Sequence, residues 1–427
     1  MRMLSEPRSR GRTYTLCMLT LIYAISVMDR KIITILQEPI KREFVLSDWQ
    51  LGLMSGFAFV SLYIVLGIPV ARAADRGVNR VSIIAYSLII WSAATAACGF
   101  VQNYAQLVAS RIAVGIGEAG FGPPAQSLIA DHYVPTERGR AMGIFALAAP
   151  AGIILGLGLG GAVSQAFGWR VALLLVGLPG VLLALILKLT VKDPRNSKAA
   201  KAPAARPAAS SLREAAKVMA AKRSYVLLLC GASTGAFANL GLQSWYPSFF
   251  VRSFGMSLGA VGVTWGIAAG VAGLLGAYGG GWLADRFGAR DPKFVLLVPA
   301  VAMLLSIPFQ IVAVLAGSWL LALLFLLVPT ALNAMYIAPT MSLNQSLAPT
   351  SLRATSAAFS TLVVNLVGLG LGPVLLGLVS DIFASIAGDT GEGLRLALIA
   401  ISPLYLLTAA CFALASRSLA RDLDMTE

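Results

Sequence analysis

Asp29, Arg30, Lys31, Arg111 and Glu118 lie inside apolar runs that are otherwise long enough to cross a bilayer. A full charge in such a run is costly and marks function by default. Arg111 and Glu118 are seven residues apart, two turns along one helical face. At about 1.5 Å of rise per residue, Asp29 and Arg111 both lie roughly 10 Å below the same surface, and Glu118 lies near the midplane. An Asp and an Arg at matched depth can pair if their helices adjoin. A buried carboxylate changes its proton affinity when a nearby Arg moves, so the group can couple proton uptake to conformational change. The plainer reading of Asp29 and Arg111 is a fixed structural pair. Arg30 and Lys31 are each rotated by about 100° from the residue before, so the three neighbours cannot share a face. Arg30 is the better site candidate, and Lys31 is expected to snorkel outward. The expected proton-coupling set is therefore Glu118, Asp29, Arg111 and Arg30. His132, the one histidine, has an ordinary pKa of about 6.5 that suits a relay, but its place at the end of an apolar run makes it a solvated loop residue.

The second half of the chain offers amides, hydroxyls and aromatics instead: Asn239, Gln243, Asn333, Thr340, Asn344 and Asn365, interleaved with Trp245, Tyr246, Tyr336 and Phe359. Aromatics at helical spacing are more often packing than ligand contacts. Taken together they predict a cavity charged on one wall and apolar-aromatic on the other. An amphipathic solute fits that asymmetry, with an anionic or zwitterionic head near Arg111 and Arg30. The expected binding set is Arg111, Arg30, Glu118, Asn239, Gln243, Trp245, Asn333, Tyr336 and Thr340.

The elements that carry these residues follow from composition. Hydrophobic residues make up 58% and charged residues 12% of 427, with mean hydropathy +0.80, against roughly a quarter charged in a soluble domain. Runs of about twenty apolar residues predict an all-α polytopic membrane protein with twelve transmembrane helices, at 13–36, 49–71, 80–101, 104–130, 138–164, 170–191, 224–250, 258–284, 294–315, 319–347, 354–384 and 393–416. Of 33 Lys and Arg, 24 lie in or beside the two tails and the even-numbered loops, which places both termini in the cytoplasm and the chain in the cell (inner or plasma) membrane. That topology accounts for the net charge of +14 without nucleic acid as a partner. Residues 1–12 are a cytoplasmic tail leading into an uncleaved first span. The stretch 192–223, rich in Ala, Pro, Ser and Lys, is a cytoplasmic linker between bundles at 13–191 and 224–416, and 417–427 is a second tail. The four cysteines are scattered without metal-ligand spacing. No Gly-Lys dipeptide occurs, so no phosphate-cradling loop is present. The spans hold no nucleophile-and-base pair, so no catalytic residue, metal or cofactor is expected, and the chain is read as no enzyme. Pro123-Pro124 should kink the fourth span, or loosen its hydrogen bonds, just beyond Glu118.

The two halves are related. Asp75-Arg76-Gly77 recurs as Asp285-Arg286-Phe287-Gly288, Pro135-Thr136-Glu137-Arg138 as Pro349-Thr350-Ser351-Leu352-Arg353, Gly156–Gly161 as Gly372-Pro373 with Gly377, and Gly168-Trp169-Arg170 as Gly393-Leu394-Arg395. Four matches in one order indicate parallel repeats about an axis along the membrane normal. The loop from Gly281 through Asp285, Arg286, Gly288 and Arg290 resembles the signature of the major facilitator superfamily; the first copy departs from it at Ala71 and Val78. Gly143, Gly152, Gly156, Gly160 and Gly161 match that superfamily's antiporter pattern, with Leu157 where the pattern has Pro. Within the superfamily, Met28-Asp29-Arg30, Gly115-Ile116-Gly117-Glu118-Ala119 and Ile129-Ala130-Asp131 resemble the spinster family of lipid transporters. The resemblance implies a major facilitator fold in two pseudo-symmetric six-helix bundles. It also implies alternating access and a lysophospholipid or sphingoid substrate moved with protons by a monomer; a carrier of a small organic anion or amphiphilic drug is the alternative. Asp75, Arg76, Arg80, Asp131, Arg138, Arg140, Asp285, Arg286 and Arg290 are the expected cytoplasmic gate, since carboxylate–Arg pairs can hold a rim shut.

Overall fold

A segment inside hydrocarbon must satisfy its backbone polar groups internally, so each apolar run closes into helix. The computed structural model describes residues 7–196, 217–349 and 352–424. Most of the expected linker and parts of both tails lie outside the described residues, as does the side chain of Asp75. Among the described residues there is no strand. Span 1 is Pro7–Ile35; span 2 runs as Asp48–Gly52, a π-helical turn Leu53–Phe57 and Ala58–Asp75; span 3 is Arg80–Cys98. Span 4 is split into Tyr104–Glu118 and Gly122–His132; spans 5 and 6 are Pro135–Phe167 and Trp169–Thr190. Spans 7, 8 and 9 are Arg223–Phe254, Leu258–Gly288 and Phe294–Leu315. Span 10 is split into Trp319–Ala334 and Ile337–Ser346. Span 11 is Arg353–Asn365, a π turn Leu366–Leu371 and Gly372–Ala387, and span 12 is Thr390–Ile401 with Leu404–Asp424. Ten of these are long and apolar enough to cross a membrane by length and composition; the other two expected spans are span 1, with its charged triplet, and the broken span 4.

The chain packs as two compact units that differ from the sequence halves at two places. The first unit is 1–44, 58–203 and 257–267; the second is 45–57, 204–256 and 268–427. Each half thus lends the start of one span to the other's unit. In the second unit Gly52 lies against the Pro373 carbonyl, and in the first Gly262 lies against the Leu157 carbonyl.

The break in span 4 has the cause read from sequence: prolines at 123 and 124 have no N–H to give to the preceding turn, so the helix ends at Glu118 and resumes at Gly122. Tight i−3 bonds bridge the gap, from Gly120 N–H to the Gly117 carbonyl at 3.4 Å and from Phe121 N–H to the Glu118 carbonyl at 3.1 Å. The repeat places a second break at the equivalent point of span 10, bridged from Met335 N–H to the Leu332 carbonyl at 3.1 Å. An aromatic occupies each gap. Phe121 packs among Tyr23, Phe145 and Trp91, with centroids 6.0, 6.2 and 5.9 Å away, and Tyr336 lies 6.2 Å from Phe412.

Just before the first break, Gly115 brings span 4 onto the Phe59 carbonyl of span 2, where a Cβ has no room. Gly115→Ala should overpack this crossing and destabilise the protein by about 1–3 kcal/mol. Gly122→Ala, where a Cβ meets nothing within 4 Å, is the matched control in thermal unfolding. Equal melting temperatures for the two variants would refute the close-approach argument.

Candidate functional site

In the first unit, spans 1, 2, 3 and 4 bring the expected charges together around a phenyl ring. Successive residues on span 1 look about 100° apart, so Asp29 and Arg30 meet different neighbours. Asp29, fully buried, accepts a 2.8 Å hydrogen bond from the Thr95 hydroxyl of span 3. Arg30, one position on, faces span 4, where its Nε lies 3.3 Å from Glu118 Oε2. Ser26, one turn earlier, donates to the same oxygen at 2.8 Å and accepts from Arg30 Nη2 at 3.2 Å. Arg111 is fully buried. The Phe59 centroid is 5.6 Å from the Arg111 guanidinium carbon and 6.0 Å from that of Arg30.

One expectation is corrected by this arrangement. Asp29 and Arg111 do not form an ion pair: all three guanidinium nitrogens of Arg111 lack a hydrogen-bond partner, and Asp29 is turned toward Thr95. Glu118, two turns from Arg111 on its own helix, is paired across to Arg30 of span 1. Lys31 is half-buried, its Cβ against Gly156 of span 5. One oxygen of Asp29 and one of Glu118 are also buried without a hydrogen-bond partner. Unpartnered polar atoms at this density are rare in a protein interior, and here they cluster on three neighbouring side chains. Ser26, Thr95 and Phe59 were missed from sequence; a hydroxyl or a phenyl ring inside an apolar run carries no signal of its own.

In the second unit, spans 7, 10 and 11 enclose a cavity of about 260 Å³. One end is polar: the Tyr225 and Ser360 hydroxyls are 2.8 Å apart, and Asn344 Oδ1 accepts from Ser356 at 3.0 Å and Ser360 at 3.1 Å. Leu228, Ala232, Ile337 and Val364 make the rest apolar. Of the expected second-half residues, Tyr336, Thr340, Asn344 and Asn365 line this cavity. Asn239 and Gln243 bond each other along span 7 at 2.7 Å. Trp245 is fully buried and donates its indole N–H to the Pro373 carbonyl at 3.0 Å, which makes it a packing residue. Asn333 is buried with an unpartnered Oδ1. Tyr225 and Ser360 were not anticipated.

Residues 19–373 match the Major Facilitator Superfamily family. The chain belongs to the major facilitator superfamily. It is 34% identical over 405 residues to an "MFS-type efflux pump" of Mycolicibacterium smegmatis, covering 95% of this chain and 92% of that one. It is 29% identical over 394 residues to "Protein spinster homolog 1" of Mus musculus, covering 87% and 74%. A crystal structure of a bacterial homolog to the human lysosomal transporter Spinster, in an inward-facing and unoccupied conformation, superposes with TM-score 0.87 at 32% identity, covering 98% of this chain and 99% of that one. An occupied form of that homolog gives 0.86 at 31%. The protein is thus an integral-membrane transporter of the superfamily, spinster-like in sequence and fold, that carries a small solute and is not an enzyme.

The superfamily's loop signature has different surroundings in the two halves. In each unit the near face is taken as the one that carries its even-numbered loops, and there Arg80 is fully buried in the first unit. It pairs with Asp131 at 2.8 Å and Asp193 at 2.5 Å and donates to Ser127 at 3.0 Å, while Arg195 reaches Asp131 at 2.9 Å. Burial alone would push the Asp193 carboxyl up, but bonds from the Arg80 side chain and N–H and from the Arg195 N–H outweigh it and hold Asp193 below the usual carboxylate range. That contribution to stability is present above the carboxyl's unfolded pKa and is lost as pH falls through the lowered folded value. Arg138 caps the Ala130 and Tyr133 carbonyls at 3.0 Å each. Arg76 and Arg140 are exposed, and His132 bonds the Leu128 carbonyl of its own helix at 2.8 Å. In the second unit Asp285 is exposed, Arg286 lies over Trp282 at 5.3 Å and Arg290 over Phe287 at 6.0 Å. The residues expected to form one gate therefore divide into a buried lock around Arg80 and a set of exposed or self-stacked side chains.

A second lock, unanticipated, lies in the second unit at the end of its helices away from its own near face, here the far face. Asp48, at the start of span 2 and fully buried, accepts Arg252 of span 7 through both oxygens at 2.7 and 2.8 Å and the Ser380 hydroxyl of span 11 at 2.7 Å. Asp381 in turn accepts the Asp48 and Trp49 backbone N–H groups at 2.8 and 2.9 Å, capping the helix from another span. Arg252 also lies 5.7 Å from the Trp245 ring.

Proposed function

We propose that this transporter is a proton-coupled secondary carrier of an amphipathic lipid, of lysophospholipid or sphingoid type, working by alternating access as a monomer in the cell membrane with both termini in the cytoplasm. The observation that carries the reading is Arg111, a buried guanidinium with no hydrogen-bond partner beside Asp29 and Glu118. A buried cation without a partner is stable in a fold only at a cost of several kcal/mol, and an anionic head group is what it lacks. Glu118, tied to Arg30 and Ser26, is the group able to exchange those partners for a proton. The part-apolar cavity of the second unit, with Tyr336 and Thr340, suits the acyl portion. Asp75, Arg76, Arg80, Asp131, Arg138, Arg140, Asp285, Arg286 and Arg290 are kept as the proposed cytoplasmic gate. Similarity to the efflux pump of Mycolicibacterium smegmatis favours one second reading, efflux of an amphiphilic drug or small organic anion.

A thermal-shift screen of purified protein against lysolipids, sphingoid bases, sugar acids and amphiphilic drugs separates the two. A ligand at a hundred times its Kd should add about 2.7 kcal/mol of apparent stability. Arg111→Gln should abolish the shift while leaving the unliganded protein at least as stable as wild type, because no partner is stranded. An undiminished shift in the variant overturns the assignment of Arg111 to the head group.

A further inference from the structure

We infer that the near-face ends of spans 7 and 12 form a binding site for the phosphate of an anionic phospholipid, separate from the transport site. Arg223, Arg417 and Arg421 converge with Ser418 and Leu414 on a pocket of about 310 Å³ in the second unit. The frame is rigid. Lys222, buried, donates to the Leu347 carbonyl at 2.8 Å and the Asp422 carbonyl at 3.3 Å, and Ser224 gives its N–H and hydroxyl to Asp422 Oδ2 at 2.9 and 2.7 Å. With the residues on either side locked inward, Arg223 is held pointing out. Arg417 and Arg421 are one helical turn apart and share its side.

The local acid does not neutralise this cluster. Asp422, its side chain 1% exposed, is committed to Ser224, and Arg421, 73% exposed, reaches it only at 3.5 Å. Neither Arg223 nor Arg417 has an ion-pair partner among the described residues. Guanidinium groups match phosphate oxygens in bidentate geometry, and basic pockets at helix ends beside a membrane surface bind anionic head groups.

A lipid, and not a soluble anion, is indicated by what lies next to the arginines. Leu414 lines the pocket and is 38% exposed. Leu407, seven residues earlier and 50% exposed, continues the same face about 10 Å deeper. A phosphate seated among the three arginines therefore has an apolar track below it for an acyl chain.

The test uses full-length protein in neutral detergent with dioctanoyl phosphatidylglycerol, dioctanoyl phosphatidylcholine and inorganic phosphate as separate probes, read by native mass spectrometry and thermal unfolding. The glycerol lipid should be retained and raise the melting temperature where the choline lipid does not, and millimolar phosphate should not compete. Arg417→Gln with Arg421→Gln should weaken phosphatidylglycerol binding about tenfold or more with the unliganded melting temperature unchanged, and Arg223→Gln alone should weaken it in the same direction. Arg417→Lys with Arg421→Lys, keeping charge but not the fork, should fall between. Equal retention of the two lipids, wild-type affinity in the Gln variants, or a collapse of their unliganded stability overturns the site. Competition by inorganic phosphate at matching affinity overturns the lipid assignment and makes the pocket a soluble-anion site.

Discussion

Glu118→Gln should abolish accumulation driven by a pH gradient while leaving exchange of the solute intact. Glu118 is the buried carboxylate whose partners, Arg30 at 3.3 Å and Ser26 at 2.8 Å, come from another span, so a change in its protonation is felt as a change in how spans 1 and 4 hold together. Coupling one proton to one solute allows about tenfold accumulation per unit of pH gradient, since 1.4 kcal/mol is a factor of ten. In proteoliposomes wild type should approach that ratio and the variant should stay near one. Glutamine keeps the shape and still accepts from Ser26, and Arg30, with a side chain 28% exposed, retains access to water, so the variant should fold. Arg30→Gln is the harsher change, because it leaves Glu118 buried with its charge unpaired, at a cost of about 3–5 kcal/mol. Its melting temperature should fall below that of Glu118→Gln. Full gradient-driven accumulation by Glu118→Gln would make Glu118 a structural acid and move the coupling role to Asp29.

Asp48→Asn should release the far end of span 2 from spans 7 and 11. The substitution removes one member of a buried pair and leaves Arg252, its side chain 6% exposed, facing a neutral amide. Breaking such a pair costs about 3–5 kcal/mol, which in a two-state element shifts populations by roughly two to four powers of ten. Spin labels at the exposed Val45 and Ile386 should change from one short distance to a distribution with a longer component. Removing both charges, Asp48→Asn with Arg252→Gln, should recover part of the loss because no charge is then stranded. An unaltered distance distribution in Asp48→Asn means that the network holds the helix start in place and does not latch.

The spans were legible because hydrophobic length is set by the bilayer and not by tertiary context: the ninth was expected at 294–315 and is Phe294–Leu315. A disturbance of span 4 after Glu118 was legible from two consecutive prolines, though a kink was expected and the helix is interrupted. Its counterpart in span 10 was not, since Pro339 falls in the first turn of the resumed helix, where a proline is tolerated and so gives no warning. Charges buried in apolar runs identified Asp29, Arg111 and Glu118. Their pairing was illegible because depth along a helix can be counted from sequence, whereas which neighbour a given side chain faces depends on rotation about the axis, and 100° separates Asp29 from Arg30. Asp48 escaped for a different reason. It stands one residue before the expected edge of span 2, where an acid reads as an ordinary loop residue, and its partners Arg252 and Asp381 lie 204 and 333 positions away.

The two packing units do not coincide with the two sequence repeats. Val45–Phe57 belongs by descent to the first repeat and by packing to the second unit, and 257–267 makes the opposite exchange. Neither half can vary alone at these places: Gly52 and Gly56 have to stay small for the carbonyls of Pro373 and Leu369, and Gly262 for that of Leu157. What evolution can shuffle between relatives is therefore not a half-protein cut at the linker. It is a half together with the borrowed stretch that fits it, and a swap that ignores this inherits two mismatched crossings.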